Sequence, residues 1–254
     1  MVAVHPRLTL LLFPLLVLPL PLGAQNAARI EYACSADEVD KFGLTCSEDE
    51  PCDVFLELAS AEGVGSTIFA AGNLHTVTTT LYGVLLMSGD GGKTWTEPNQ
   101  RIPAADLDQV QFPDFQHGWA SGVNVEPLAR DPFFLVTTDG GKTWRRRPVF
   151  TDTRYGSIQQ FWFESAKSGQ LIFERSEGSA SSYETYETAN GGDTWTIKEA
   201  GNKNPKLAKA PAKDSATWRV RTDAASKTNR IERRTAGGGF EVVASFAVRA
   251  GVCK

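Results

Sequence analysis

Methionine occurs only twice and histidine three times in 254 residues, and no pair of the four cysteines has C-x-x-C spacing. So thin a supply of ligands argues against a zinc site, and no metal is expected. No segment keeps a 3.6-residue apolar period over several turns, which excludes coiled coils and helical bundles. Charge of either sign is also not in excess: 26 basic residues stand against 30 acidic ones, a net charge of -4. There is therefore no basic field to attract nucleic acid. The chain lacks a G-x-S-x-G elbow, a Walker loop, a dinucleotide fingerprint and an EF-hand loop, so no cofactor is expected.

What the chain has is glycine (23), phenylalanine (14) and tryptophan (6). That mixture suits many short strands joined by tight turns. The first segment differs. Arg7, the apolar run Leu8–Leu22 and the small residues Gly23 and Ala24 predict a secretory signal over residues 1–24. Pro14, Pro19 and Pro21 interrupt the run, which suits a cleaved leader better than a membrane span. The expectation is a secreted or periplasmic protein with no stable membrane insertion after cleavage.

Export makes the cysteines legible as disulfides. Cys34, Cys46 and Cys52 lie in an amino-terminal segment, residues 25–52, and Cys253 is the last residue but one. If two bridges form, Cys253 must pair with one of the three amino-terminal cysteines, whichever it is. That would tie distant parts of the chain together.

A repeat governs the remainder, residues 53–254. Ser88, Asp90, Gly92, Thr94 and Trp95 recur as Thr137, Asp139, Gly141, Thr143 and Trp144, and again as Thr188, Asn190, Gly192, Thr194 and Trp195. The third positions are 49 and 51 residues apart. Upstream, Phe69-Ala70-Ala71-Gly72 matches Trp119-Ala120-Ser121-Gly122. A worn fourth copy places Trp218 at the Trp119 position and Thr235–Phe240 at the box position. The units span about 53–98, 107–150, 157–200 and 213–246, each with about four strand-like stretches. The predicted fold is an all-β propeller of about four four-stranded antiparallel blades.

The motif S/T-x-D-x-G-x-T-W resembles the Asp-box, or BNR repeat. That resemblance places each copy in the hairpin between the third and fourth strands of a blade. The residue types suit such a turn: Asp or Asn accepts backbone N–H groups, the glycines permit positive φ, and Trp buries a large area. The wider pattern around Phe112, Asp114, Gly118, Trp119, Ala120 and Gly122 is similar to the Ycf48/Hcf136-like photosystem assembly factor family. The resemblance implies an exported propeller without catalysis, acting in assembly of membrane protein complexes. Those proteins have about seven blades, and this chain has room for four or five.

Asp-boxes also occur in sialidases, so a glycan-binding or glycoside-hydrolysing protein is the alternative. Arg101-Ile102-Pro103 is similar to a sialidase triplet but follows the first box instead of preceding it. Arg130, Arg154, Arg175, Glu164 and Tyr155 form no recognisable arrangement in sequence. Asp90 and Asp139 recur once per unit, as turn residues do and a catalytic pair need not. No catalytic residue is assigned. The expected partner is an unidentified protein or glycan, bound by a monomer or a ring-completing dimer, with Arg145, Arg146 and Arg147 as candidate contacts.

Overall fold

The computed structural model describes residues 27–176, 182–207 and 217–254. The predicted leader over residues 1–24 and the start of the fourth predicted unit lie outside them. Among the described residues, four twisted sheets form the blades of a β-propeller. The first contains β1 (Tyr32–Ala33), β2 (Cys52–Val64), β3 (Thr67–His75), β4 (Thr80–Ser88) and β5 (Ile102–Pro103), with a short helix α1 (Ala36–Lys41) after β1. The second is β6 (Ala105–Gln111), β7 (Gly118–Asn124), β8 (Arg130–Thr137) and β9 (Arg145–Pro148). The third is β10 (Gly156–Phe163), β11 (Gly169–Arg175), β12 (Ser182–Thr188) and β13 (Thr196–Gly201). The fourth is β14 (Trp218–Asp223), β15 (Thr228–Arg234) and β16 (Phe240–Ala247). The last strand, β17 (Arg249–Cys253), returns to the first sheet and lies between β1 and β2.

The burial pattern of each strand follows from its neighbours. On the first half of β2, Val54, Leu56 and Leu58 are buried while Asp53 and Glu57 are exposed. Strands β3, β7 and β8 are almost continuously buried, because sheets cover both their faces. Leu56, Leu74 and Leu86 of the first sheet meet Ile231 and Phe246 of the fourth in one core. Phe69 and Leu85 meet Leu107, Phe133 and Trp144 in a second, between the first and second sheets. Trp119 and Phe134 meet Phe161, Phe163 and Phe173 in a third, between the second and third sheets. The sheets are thus stacked in the spatial order third, second, first, fourth.

The recurring glycine of the A-x-G element has a steric cause. A Cβ on Gly72 would lie 2.0 Å from the Glu57 carbonyl, and one on Gly122 would lie 2.8 Å from the Asp106 carbonyl. Both stand opposite a bulge, Leu58/Ser60 in β2 and Leu107/Gln109 in β6, where the backbones crowd together.

Two features depart from four equal blades. Among the described residues the fourth sheet has three strands, with only Ala28 bridging to Phe246 on the outer side of β16. The first has six, because β17 and β1 join it. The cysteine-containing amino-terminal segment is consequently part of the sheets. Cys34 is bonded to Cys253 and Cys46 to Cys52.

Candidate functional site

The three boxes share one geometry. In the first, Ser88 Oγ donates to Asp90 Oδ1 (2.8 Å) and accepts from Gly92 N (2.8 Å). Thr94 donates its N–H and hydroxyl to the two Asp90 oxygens, at 2.9 and 2.7 Å. The second box repeats these bonds through Thr137, Asp139, Gly141 and Thr143. In the third, Thr194 N still donates to Asn190 Oδ1 (3.0 Å), but Asn190 Nδ2 now donates to the Thr194 hydroxyl (2.9 Å). Trp95 and Trp144 donate their indole N–H to Gly92 O and Gly141 O, both at 3.0 Å. Trp195 Nε1 is buried without a hydrogen-bond partner. With every carboxylate oxygen engaged inside its turn, the boxes hold hairpins and offer no free acid.

The boxes also lock sheets together. Gly141 lies under the Phe69 ring, and Gly92 lies against Val243. Trp119 donates to Gly191 O (3.2 Å) from the adjacent sheet. The arginine run joins this packing. Arg147 pairs with Asp193 (2.8 Å) and donates to Gly191 O (3.0 Å). Arg146 stacks on Phe133 at 3.8 Å and donates to Asn124 Oδ1 (2.7 Å). Of the three, Arg145 and Arg146 are exposed and Arg147 is half-buried. Two of the proposed contact arginines are therefore occupied within the protein.

An arginine–tyrosine–glutamate group did emerge between the second and third sheets. Tyr186 donates to Glu184 Oε2 at 2.5 Å, and Arg154 reaches both residues, while Arg175 pairs with Glu184 at 3.1 Å. Burial and the adjacent Glu184 push the Tyr186 hydroxyl up to about 12. That is the wrong direction for a nucleophile, and the ring is 5% exposed. Both Glu184 oxygens are thus taken up within the protein, by Arg154, Tyr186 and Arg175. Arg101 is likewise absorbed, pairing with Glu97 at 2.7 Å and lying 5.5 Å from the Tyr32 ring.

A cleft of about 1180 Å³ opens where the first and fourth sheets meet the amino-terminal segment. Arg29, Tyr32, Phe55, Asp223, Lys227 and Arg249 line it. Some of its charges are already matched: Arg249 pairs with Asp53 at 2.5 Å, and Asp223 pairs with Arg230 while accepting from Ala225 N (2.9 Å). Lys227, at the tip of the β14–β15 hairpin, holds a φ of 52°. Its carbonyl accepts from Val248 N (3.0 Å), fixing this left-handed residue on the cleft wall.

Phe55 links the cleft to a group of carboxylates at the start of β6. Its ring lies 5.8 Å from that of His75, whose Nε2 is 3.9 Å from Glu57. Burial and then the nearby Glu57 raise the Asp106 carboxyl, and its Oδ1 has no hydrogen-bond partner. Burial, Asp106 and Glu57 together push Asp108 up to about 6. Solvent still reaches Asp108. Sequence spacing gave no signal of it, since Glu57 and Asp106 come from different units. Among the described residues no group of three or more His, Cys, Asp or Glu is arranged to hold a metal.

A family model described as "Sortilin, neurotensin receptor 3" (Sortilin-Vps10) matches residues 83–238. No curated protein matches the chain. Among solved structures, one described as "YCF48 bound to D1 peptide" is similar: the two are 17% identical, the match covers 78% of this chain and 72% of that one, and the TM-score is 0.41.

Proposed function

Because the chain belongs to the Sortilin-Vps10 family, we propose that it is a non-catalytic, protein-binding propeller whose cleft receives an extended polypeptide segment. The observation that carries this reading is the cleft itself. Its volume of about 1180 Å³ exceeds the roughly 300–1,000 Å³ of small-molecule sites. Its walls set small residues such as Ala224, Ala247 and Gly251 and charged side chains such as Arg29 and Lys227 around the rings of Tyr32 and Phe55, which suits a peptide better than a metabolite. A peptide is also what the similar structure, YCF48, is described as binding.

The test is selection of a displayed random peptide library on the full chain, followed by titration of the enriched peptides. Binding lost in Lys227→Glu and Phe55→Ala supports the cleft as the site. No enrichment, or peptides indifferent to both changes, rejects it.

We also propose that the protein is exported. The apolar leader over residues 1–24 supports this, as does the pairing of all four cysteines. Among the described residues no helix is long and apolar enough to cross a membrane. Amino-terminal sequencing of protein recovered outside the cytoplasm would give Gln25 as the first residue, whereas an intact Met1 on cytoplasmic protein would reject export.

A further inference from the structure

The four cysteines gather at one end of β2. The ladder sets Cys253, the last residue of β17, directly opposite Cys52, the first of β2. Directly opposed residues of antiparallel strands lie ~4.5–5.5 Å apart at Cα and put their side chains on the same face. That spacing falls inside the range of about 4.4–6.8 Å that a disulfide needs. Cys253 is nonetheless bonded to Cys34, whose Cα lies 4.8 Å away, and Cys52 is bonded to Cys46. Cys253 therefore has two cysteines within bonding reach and uses one. Burial divides the two bridges. Cys253 is 0% exposed, whereas Cys46 and Cys52 are half-buried and every residue between them is exposed. Lys254 pairs with Glu48 at 3.4 Å, which holds the end of β17 against that exposed loop.

We propose that these cysteines form a thiol–disulfide exchange site, in which a small thiol that opens the Cys46–Cys52 bridge moves the Cys253 bond from Cys34 to Cys52. The thiolate of a low-molecular-mass thiol attacks Cys46 Sγ, forms a mixed disulfide there and expels Cys52 as a thiolate. Cys52 Sγ then attacks Cys253 Sγ across the ladder. Cys34 leaves and takes up the proton that the small thiol lost. Each step forms one S–S bond and breaks one, and the small thiol is the only co-reactant. The order follows from access, because solvent reaches the Cys46–Cys52 loop while Cys253 is open only to its neighbours. Exchange also loosens β1, since Cys34 directly follows Tyr32–Ala33, which meet β17 through a two-residue ladder. Both residues line the cleft. An altered cleft wall is the one consequence that rests on the cleft being the binding site.

Cys46→Ser in the full chain supplies the attacking Cys52 thiol without any added reagent. The folded variant is incubated, its thiols are blocked with iodoacetamide, and it is digested with trypsin unreduced. Cys34, Cys52 and Cys253 then fall in separate peptides, residues 30–41, 42–93 and 250–254. Two ordinary disulfides exchange with a constant near one, so roughly a tenth or more of peptide 250–254 should become joined to 42–93. That fraction should grow faster at about pH 8.5 than at about pH 6.5, because the thiolate attacks. Cys52→Ser leaves Cys46 as the free thiol, outside the ladder, and should keep 250–254 joined to 30–41. Near-ultraviolet circular dichroism verifies that each variant is folded. Lys227→Glu combined with Cys46→Ser should exchange as Cys46→Ser does, which separates this site from peptide binding in the cleft. Two results overturn the proposal: Cys253 still joined only to Cys34 in Cys46→Ser, with Cys52 fully alkylated, or Cys52→Ser rearranging as readily as Cys46→Ser.

Discussion

Gln111 takes both backbone hydrogen-bonding groups of Phe163 across the boundary of two sheets. Its Nε2 donates to Phe163 O at 2.7 Å and its Oε1 accepts from Phe163 N at 2.8 Å. Gln109 does the same for Phe161, at 2.9 and 3.1 Å. Two amide side chains thus behave as a partner strand for the edge of β10, whose outer backbone groups would otherwise be buried unpaired.

Gln111→Leu is therefore expected to be costly despite its similar volume. It strands one N–H and one C=O beside a fully buried ring, at about 1–3 kcal/mol for each unsatisfied group. Urea denaturation should show the loss as a lower midpoint. A variant as stable as the parent would mean that water replaces the amide.

The second box gives a pH signature. Hydrogen bonds from the Thr143 hydroxyl and backbone, and from Thr137, bring Asp139 down from 3.8 to about 2. A group lowered on folding stabilises the protein above its unfolded value and loses that contribution as pH falls from about 4 toward about 2. Asp139→Asn keeps the acceptor oxygen, as Asn190 does naturally in the third box. Its acid-denaturation curve should be flatter over that window, with the two proteins converging near pH 2.

Glu62 has the opposite sign. Burial raises its carboxyl from 4.5 to about 7, with one opposing hydrogen bond from Gly63 N. The folded protein holds a proton that the unfolded chain has released, so stability should fall as pH rises from about 4.5 to about 7. Glu62→Gln should abolish that slope. Urea midpoints at pH 5 and pH 8 measure it, and an unchanged difference between them would reject the assignment.

The Cys34–Cys253 bridge closes 219 residues of sequence. Loop-closure entropy assigns such a crosslink about 5 kcal/mol. Cys253→Ser should lower stability far more than Cys52→Ser, because the Cys46–Cys52 loop spans only 6 residues. Paired thermal melts of the two variants test the ranking.

The repeat made most of this architecture readable. Three boxes at nearly equal spacing predict hairpins of one kind, and a turn held by its own Asp, Thr and Gly is local enough to be written in eight residues. The fourth unit was harder to read. Its marker Trp218 begins β14 and packs over Gly63 of the first sheet, whereas Trp119 is buried in β7. The arginine run was legible as charge but not as structure, since the stacking on Phe133 and the pairing with Asp193 join residues far apart in sequence. The raised carboxyls of Asp106 and Asp108 were invisible for the same reason. Their raised affinity for protons arises from β2 and β6 being packed together, a fact that no local pattern records.

The placement of β17 between β1 and β2 also imposes an order of events on synthesis. Residues 249–253 emerge from the ribosome about 200 positions after β2, yet β2 has its full complement of neighbours only once they arrive. Until then one side of β2 and the binding partner of Tyr32–Ala33 are missing. The first-made sheet is thus the last one finished.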